Sequence, residues 1–252
     1  TRVDPDSVWA LSAGDSAACR SMIQGLRNEG IFTPPSLEGT VVVPGNVGGA
    51  HWGGLAYDPT REIAVVPVNT VAAIVQLISQ DQVVDTVLRQ ESSRLGYQLN
   101  RMDGTPYFMR RRLWLSPSRT PCTPPPFGKL VAVSLRAGRI LWDVPLGSME
   151  TMIQPGAARA TGVAGLGSPN LGGPIATAGG LVFIAATLDR HLRAFDIETG
   201  RVLWQSPLPA GGKATPMTYR GRDGRQYVVI AAGGDGEAFG TGDEVIAFAL
   251  GR

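Results

Sequence analysis

The sequence predicts an all-β fold assembled from repeated four-stranded antiparallel units, and three observations carry that prediction. The first is an internal echo: "VAVSLRAGRILW" at 131–142 returns as "RAFDIETGRVLW" at 193–204. Ala132/Ala194, Leu135/Ile197, Gly138/Gly200, Arg139/Arg201, Leu141/Leu203 and Trp142/Trp204 share one offset of 62 residues. Coincidence does not hold one offset over so many positions. The second is composition: 33 glycines and 19 prolines fall at regular intervals between short apolar runs, as turns joining short strands would place them. The third is alternation, with Leu192, Ala194 and Asp196 set against Arg193, Phe195 and Ile197 in the period-two pattern of a strand.

The elements follow in order. "CRSMIQGLRNEG" (19–30) puts Met22, Ile23 and Leu26 on one helical face and ends at Gly30, after which "FTPP" enforces an extended path towards the strand "GTVVVPG". Residues 1–39 thus read as an N-terminal helix with an extended lead-in, and 40–250 as the repeat array. "GGLAYDPTREIAVVPVN" (53–69) supplies two strands around an Asp58-Pro59 turn. Residues 79–127 then interrupt the array as a long insertion. In it, "SQDQVVDTVLRQESSRL" sets Val83, Val84, Val87, Leu88 and Leu95 near helical spacing, and "TPYFMRRRLWLSPSRTPCTPPP" reads as a proline-rich loop. Its run Arg110-Arg111-Arg112 reads as a solvated or loop-anchoring cluster, with a membrane-facing role as the alternative.

Each copy of the echo is a β-hairpin, with Gly138 or Gly200 free to take the positive φ of a tight turn. Ahead of the second copy, "GGPIATAGGLVFIAAT" (172–187) adds two strands hinged at Ala178-Gly179-Gly180. Four antiparallel strands of this size make one propeller blade. "TPMTYRGRDGRQYVVIAAGG" (215–234), turning at Asp223-Gly224, and "EVIAFAL" (244–250) begin a third unit that stops before its fourth strand. A strand from elsewhere in a chain commonly completes such a blade.

Composition narrows the function. A chain of 252 residues that is 43% hydrophobic can bury a large core. Its 23 basic and 21 acidic side chains, a net charge of +2, are spread without a basic face, which argues against nucleic acid as a partner. No run reaches the roughly 18 apolar residues of a membrane helix, since Pro67 and Asn69 interrupt the longest. The opening "TRVDPDSVWALSAGDS" has neither the basic nor the apolar region of a signal peptide, so the chain reads as processed or excised from something longer. Cys19 and Cys122 match no metal motif and allow at most one disulfide. Both a pair and two separate thiols stay open, and a Cα separation beyond about 7 Å would exclude the pair.

The pattern Ala-x-Asp-x-x-Thr-Gly-(Lys/Arg)-x-x-Trp, complete at Ala194–Trp204 and substituted at Ala132–Trp142, resembles the tryptophan-docking motif of quinoproteins that bind pyrroloquinoline quinone (PQQ). "RNEGIFTPPSLEGTVVVPGNVGGAHWGGLAYDP", "SPNLGGPIATAGGLVFIAATLDRHLRAFDIETGRVLW", "LPAGGKATPMTYRGRDGRQYVVIAAGG" and "PCTPPPFGKLVAVSLRAGRILW" are similar to the C-terminal part of membrane-bound quinoprotein glucose dehydrogenases and their quinate/shikimate relatives. The resemblance spans most of the chain after residue 18. It implies about three blades of an eight-bladed propeller, anchored by membrane helices at the periplasmic side of the inner membrane. It implies oxidation of a sugar or cyclic polyol, with electrons passed to ubiquinone. It also implies that the general-base Asp, a Lys on the quinone and the main ligands of a calcium or magnesium ion lie in an upstream half. No catalytic residue is therefore assigned here, and the isolated chain is expected to be inactive.

By the same resemblance, Asn46 in "PGNVGGAHWGG" stands near the cofactor, where an amide can donate to a quinone oxygen without adding charge; its other reading is a turn residue capping its own backbone. Trp52 either walls the cofactor pocket or plugs the propeller channel. Asp235, in "AAGGDGEAFGTGDEV", replaces a histidine at the active-site mouth of glucose-oxidising relatives, so an anion stands where a neutral or cationic donor is usual; alternatively it is a Gly-Asp-Gly turn residue. His51 reads as a hydrogen-bonded structural residue and His191 as a surface one, with no metal site at either. No phosphate loop or Ser/His/Asp triad is supported. The rival to an enzyme fragment is a non-catalytic propeller acting as an envelope scaffold, which has no reason to carry the string around Asn46 and Trp52 or the long insertion.

Overall fold

A computed structural model describes residues 2–45, 48–82, 89–90, 96–150, 165–236 and 238–250. Almost every regular element is a strand, and all strand pairs within sheets are antiparallel. The chain divides into two units, Thr1–Val47 with Thr70–Pro124, and Gly48–Asn69 with Pro125–Arg252.

Among the described residues the first unit holds the helix α1 (Ala13–Ile23) and a sheet of strands β1 (Thr40–Val42), β4 (Ala73–Ser79), β6 (Tyr107–Leu113) and β5 (Gln98–Arg101), in that spatial order. The helix starts earlier and ends earlier than its apolar spacing predicts. Ser12 caps it, its Oγ accepting from Asp15 N at 3.0 Å, and after Ile23 the chain turns so that Arg27 can bridge to Thr40 beside the sheet. Asp15, Cys19 and Ile23 form its buried stripe, one helical turn apart. Cys19 and Cys122 are joined in a disulfide across a Cα separation of 5.9 Å. Both cysteines pack in one core with Ile23, Val41, Ala72, Ile74 and Trp114, and the Trp114 indole donates to the Cys19 carbonyl at 3.1 Å. Burial opposes a charge on Asp15, yet hydrogen bonds from Ser118 and Ser12 outweigh it and hold the carboxyl below its ordinary range.

Part of the expected proline-rich loop is instead β6, paired with both β4 and β5. The arginine run hid it, because long aliphatic stems let arginine alternate like an apolar residue. Arg110 and Arg112 share one face and lie over the Tyr97 ring, 4.8 and 4.7 Å from its centroid, while Nε of the intervening Arg111 donates to Gln98. The helix expected from Val83, Val84, Val87, Leu88 and Leu95 lies outside the described residues. The excursion from the repeat array begins before residue 79, since β4 pairs with β1 and β6 rather than with the strand before it.

The second unit contains the repeats. Its first sheet is β2 (Ala56–Asp58), β3 (Ile63–Asn69), β7 (Gly128–Ser134) and β8 (Arg139–Pro145). The second is β9 (Ile175–Ala176), β10 (Leu181–Ile184), β11 (His191–Asp196) and β12 (Val202–Pro207). The third, β13 (Met217–Arg220), β14 (Gln226–Gly236) and β15 (Gly240–Ala249), has three strands, as the sequence predicts. Successive sheets pack face to face: Ile63, Val65, Leu130 and Ala132 meet Val182, Ile184, Phe195 and Ile197, and Ala185, Leu192 and Leu208 meet Val228, Ile230 and Ala232. This stacking of small antiparallel sheets is the architecture of a propeller segment.

The echo is reproduced in backbone detail. Both hairpins carry a β-bulge at the same point, between Ala132 and Val133 and between Ala194 and Phe195. Gly138 and Gly200 take φ of 62° and 72°. Asp196 closes the second turn by accepting from the Glu198 and Thr199 backbone N–H groups and the Thr199 hydroxyl, and Ser134 does the same for Ala137 in the first. Trp142 donates through Nε1 to the Ile197 carbonyl of the next sheet at 2.9 Å, and its ring lies on the next turn so closely that a Cβ at Gly200 would stand 2.7 Å from Cε3. Trp204 meets Phe248 of the third sheet edge to face, with ring centroids 5.1 Å apart.

Candidate functional site

The lead-in to each sheet of the second unit has the same design. The residue four positions ahead of the first strand is Trp52, Leu171 or Lys213. Three glycines let these lead-ins close on one another: a Cβ at Gly53 would stand 2.4 Å from the Gly172 carbonyl oxygen, one at Gly173 2.1 Å from the Gly53 oxygen, and one at Gly172 2.9 Å from the Lys213 oxygen. Backbones this close exclude any side chain at the seam. The seam is therefore fixed, and the positions beside it are free to carry chemistry.

Beside the first lead-in, Trp52 leaves 71% of its surface exposed, an open aromatic face with His51 edge-on to it at 6.0 Å. His51 is tied down, as the sequence suggests. Its Nδ1 accepts from Gly53 N–H at 3.1 Å, so Nε2 carries the proton and donates to Asn170 Oδ1 at 3.0 Å. Asn170 is fully buried and exchanges two further hydrogen bonds with Asn69, from its backbone N–H to Asn69 Oδ1 and from Asn69 Nδ2 to its carbonyl.

At the second sheet the polar groups are sealed. Arg193 holds Asp189 in a bidentate pair, its Nη1 also donates to the Thr187 hydroxyl, and the two charged side chains are each only 11% exposed. His191 is half-buried rather than at the surface, its Nδ1 2.7 Å from the Asp189 carbonyl oxygen.

At the third sheet the pair is open. Lys213 Nζ donates to Asp235 Oδ2 and lies 5.4 Å from the centroid of the buried Phe239 ring. Asp235 is half-exposed, and among the described residues its Oδ1 accepts no hydrogen bond. The hairpin tip that presents Asp235 is pinned to the lead-in by Gly211 N–H to the Phe239 carbonyl at 2.6 Å and by Gly234 N–H to the Gly211 carbonyl at 2.9 Å.

Of the residues singled out in the sequence, Trp52 and Asp235 both flank this seam, and Asn46 lies outside the described residues. Lys213 was missed, because it stands 22 residues from its partner and belongs to no motif; setting the lead-ins "HWGGLA", "NLGGPI" and "GKATPM" in register would have found it. Among the described residues no group of three or more His, Cys, Asp or Glu side chains can hold a metal ion, and no helix is long and apolar enough to cross a membrane. The first unit has a mostly apolar cavity of about 230 Å³, lined by Val3, Val8, Val43, Trp114 and Thr123; among the described residues the buried Thr123 hydroxyl oxygen has no hydrogen-bond partner.

Stacked small antiparallel sheets with tryptophan contacts between them define a propeller segment. Residues 1–228 match the family described as PQQ glucose/ethanol/alcohol dehydrogenase, beta-propeller domain. The chain belongs to this family. It is similar to the quinoprotein glucose dehydrogenase of Escherichia coli, at 40% identity over 96% of the chain and 31% of the relative. It is also similar to the quinate/shikimate dehydrogenase (quinone) of Acinetobacter baylyi, at 37% identity over 96% of the chain and 30% of the relative. The chain thus spans about a third of the length of these curated relatives. The quinohemoprotein alcohol dehydrogenase from Comamonas testosteroni shares the fold with a TM-score of 0.52 at 24% identity, over 84% of the chain and 27% of that structure.

Proposed function

We propose that the chain forms the C-terminal blades of a PQQ-dependent dehydrogenase that oxidises a sugar or cyclic polyol at the periplasmic side of the inner membrane and passes electrons to ubiquinone. The family match over residues 1–228 carries the reading. The disulfide Cys19–Cys122 supports the location, since such bonds persist in oxidising compartments. The Trp142 indole lying on the Gly200 turn supports the tryptophan-docking role of the repeat hairpin.

The residues present fit a planar quinone with carboxylate groups. Trp52 offers an open ring for stacking, and Lys213, whose backbone oxygen lies at the same seam, an ammonium donor. Trp52, Asp235 and Asn46 would border the cofactor. When bound, PQQ supplies the two-electron acceptor for the substrate's carbinol hydrogen. By the family resemblance, the calcium or magnesium ion and the catalytic base are assigned to an upstream half, which would also complete the three-stranded third sheet. The chain on its own is expected to be inactive. A non-catalytic scaffold would leave Trp52 without a purpose.

The test is titration of the full-length protein with PQQ and calcium or magnesium, followed by dye reduction with glucose, quinate and shikimate. Cofactor-dependent reduction with at least one is expected. None with any of them would favour the scaffold.

A further inference from the structure

The arginine run of β6 has no part in the cofactor reading, and its charge is not answered as that of other arginines is. Arg27, Arg61, Arg136, Arg193 and Arg225 each face a carboxylate. Arg110, Arg111 and Arg112 are half-buried, and among the described residues none of them forms an ion pair. Arg110 Nε donates to Gln76 Oε1 at 2.9 Å, while Gln76 Nε2 donates to the Leu37 carbonyl at 2.7 Å. The amide is thereby fixed as a neutral acceptor where a carboxylate would have cancelled the charge. Gln98 answers Arg111 in the same neutral way. Among the described residues Arg112 Nε is buried and has no hydrogen-bond partner at all, an expensive state for a charged donor.

Residues two apart on a strand share one face, and the guanidinium groups of Arg110 and Arg112 converge on the single Tyr97 ring, 4.8 and 4.7 Å from its centroid. The ring attracts each cation but does not cancel their mutual repulsion. An anion held between them does both. We infer that Arg110 and Arg112 over Tyr97 form a binding clamp for a phosphate group. Arg110 spends its Nε on Gln76 and offers its Nη groups, whereas Arg112 offers Nε and Nη together, the edge that grips two oxygens of one phosphate. Inorganic phosphate and the phosphodiester of a lipid headgroup present the same oxygens. Leu37, 51% exposed and tied to Gln76 through its carbonyl, gives an acylated phosphate an apolar neighbour that a free one does not need. The clamp does not rest on the dehydrogenase reading, since none of its residues enters the proposed cofactor contacts.

The experiment uses the full-length protein in a nonionic detergent, with ionic strength held constant by chloride. The probes are inorganic phosphate, mixed micelles carrying dioctanoyl phosphatidylglycerol, and dioctanoylglycerol as the control without phosphate. Titration calorimetry is expected to show saturable binding of at least one phosphate probe and none of the control. Arg110→Gln and Arg112→Gln should each weaken that binding about tenfold or more, the loss of a charge-assisted contact, and Arg112→Lys should not restore it, because an ammonium cannot reproduce the two-pronged edge. Binding of inorganic phosphate identifies a free phosphate as sufficient, and binding of the phosphatidylglycerol alone identifies a lipid headgroup; either supports the clamp. In the wild type the bound probe should also protect Arg110 and Arg112 from modification by phenylglyoxal, read by peptide mass spectrometry, a measurement that stands even where a variant does not fold. No binding of either phosphate probe, affinity unchanged in both glutamine variants, or no protection of the two arginines overturns the clamp.

Discussion

Two ion pairs lie at the same end of neighbouring sheets and differ in one respect. Arg193–Asp189 is sealed, each side chain 11% exposed and both carboxylate oxygens occupied. Lys213–Asp235 is open, with side chains 22% and 48% exposed and one oxygen free. Asp189 follows β10 and Asp235 lies at the end of β14, so both stand where the second strand of a sheet gives way to the third. Burial decides whether that polarity is consumed by the fold or left for a ligand. A sealed pair has already exchanged its water for protein partners, so breaking it strands a charge, whereas an open pair has water on hand and little to lose.

The largest expected effect breaks the sealed pair. Asp189→Ala leaves Arg193 buried and unpaired and should cost about 3–5 kcal/mol, read as a lower denaturation midpoint of the full-length protein and faster hydrogen exchange in β11. A loss below 1 kcal/mol would erase the distinction between the pairs. At the opposite end of the same sheets, Gly200→Ala should cost about 3 kcal/mol, because φ is 72° and the new methyl group meets the Trp142 ring. Truncating Trp142 to Ala in the same chain should relieve the steric part, leaving an effect smaller than the sum of the two.

A pH effect comes next, in the first unit. Asp15 has its folded pKa lowered from an ordinary value of 3.8, so its stabilising contribution is present above that value and is lost as pH falls below it, through the folded pKa. The Tm of the wild type should therefore drop over that interval by more than that of Asp15→Asn; parallel curves would remove Asp15 as the cause. The smallest effect on stability belongs to the open pair. Asp235→Ala should change unfolding by no more than about 0.5 kcal/mol. A loss comparable to that of Asp189→Ala would mean that Asp235 is structural.

How much was legible followed from how local each signal is. The hairpins at Gly138 and Gly200 were readable because a strand, a tight turn and a return strand are written within a dozen residues. The missing fourth strand of the third sheet was equally plain. Helix α1 was legible as a helix but not in its limits, because its start is set by Ser12 and its buried stripe includes Asp15 and Cys19, neither of which scores as helical core. Strand β6 was masked by Arg110, Arg111 and Arg112, whose guanidinium groups lie over the Tyr97 ring or donate to Gln98. The Cys19–Cys122 bond was open, since a contact between residues 103 positions apart leaves no local trace.

The sequence by itself determined the all-β class, the repeat, the positions of its turns and the kinship with PQQ-dependent dehydrogenases, because backbone geometry and residue periodicity are local properties. Only the tertiary structure decided which charges face each other. It set His51 on Asn170, sealed Asp189 against Arg193, and joined Lys213 to Asp235 with one oxygen to spare. Those outcomes depend on burial and on partners brought together by the stacking of sheets. A short window of sequence carries no record of either.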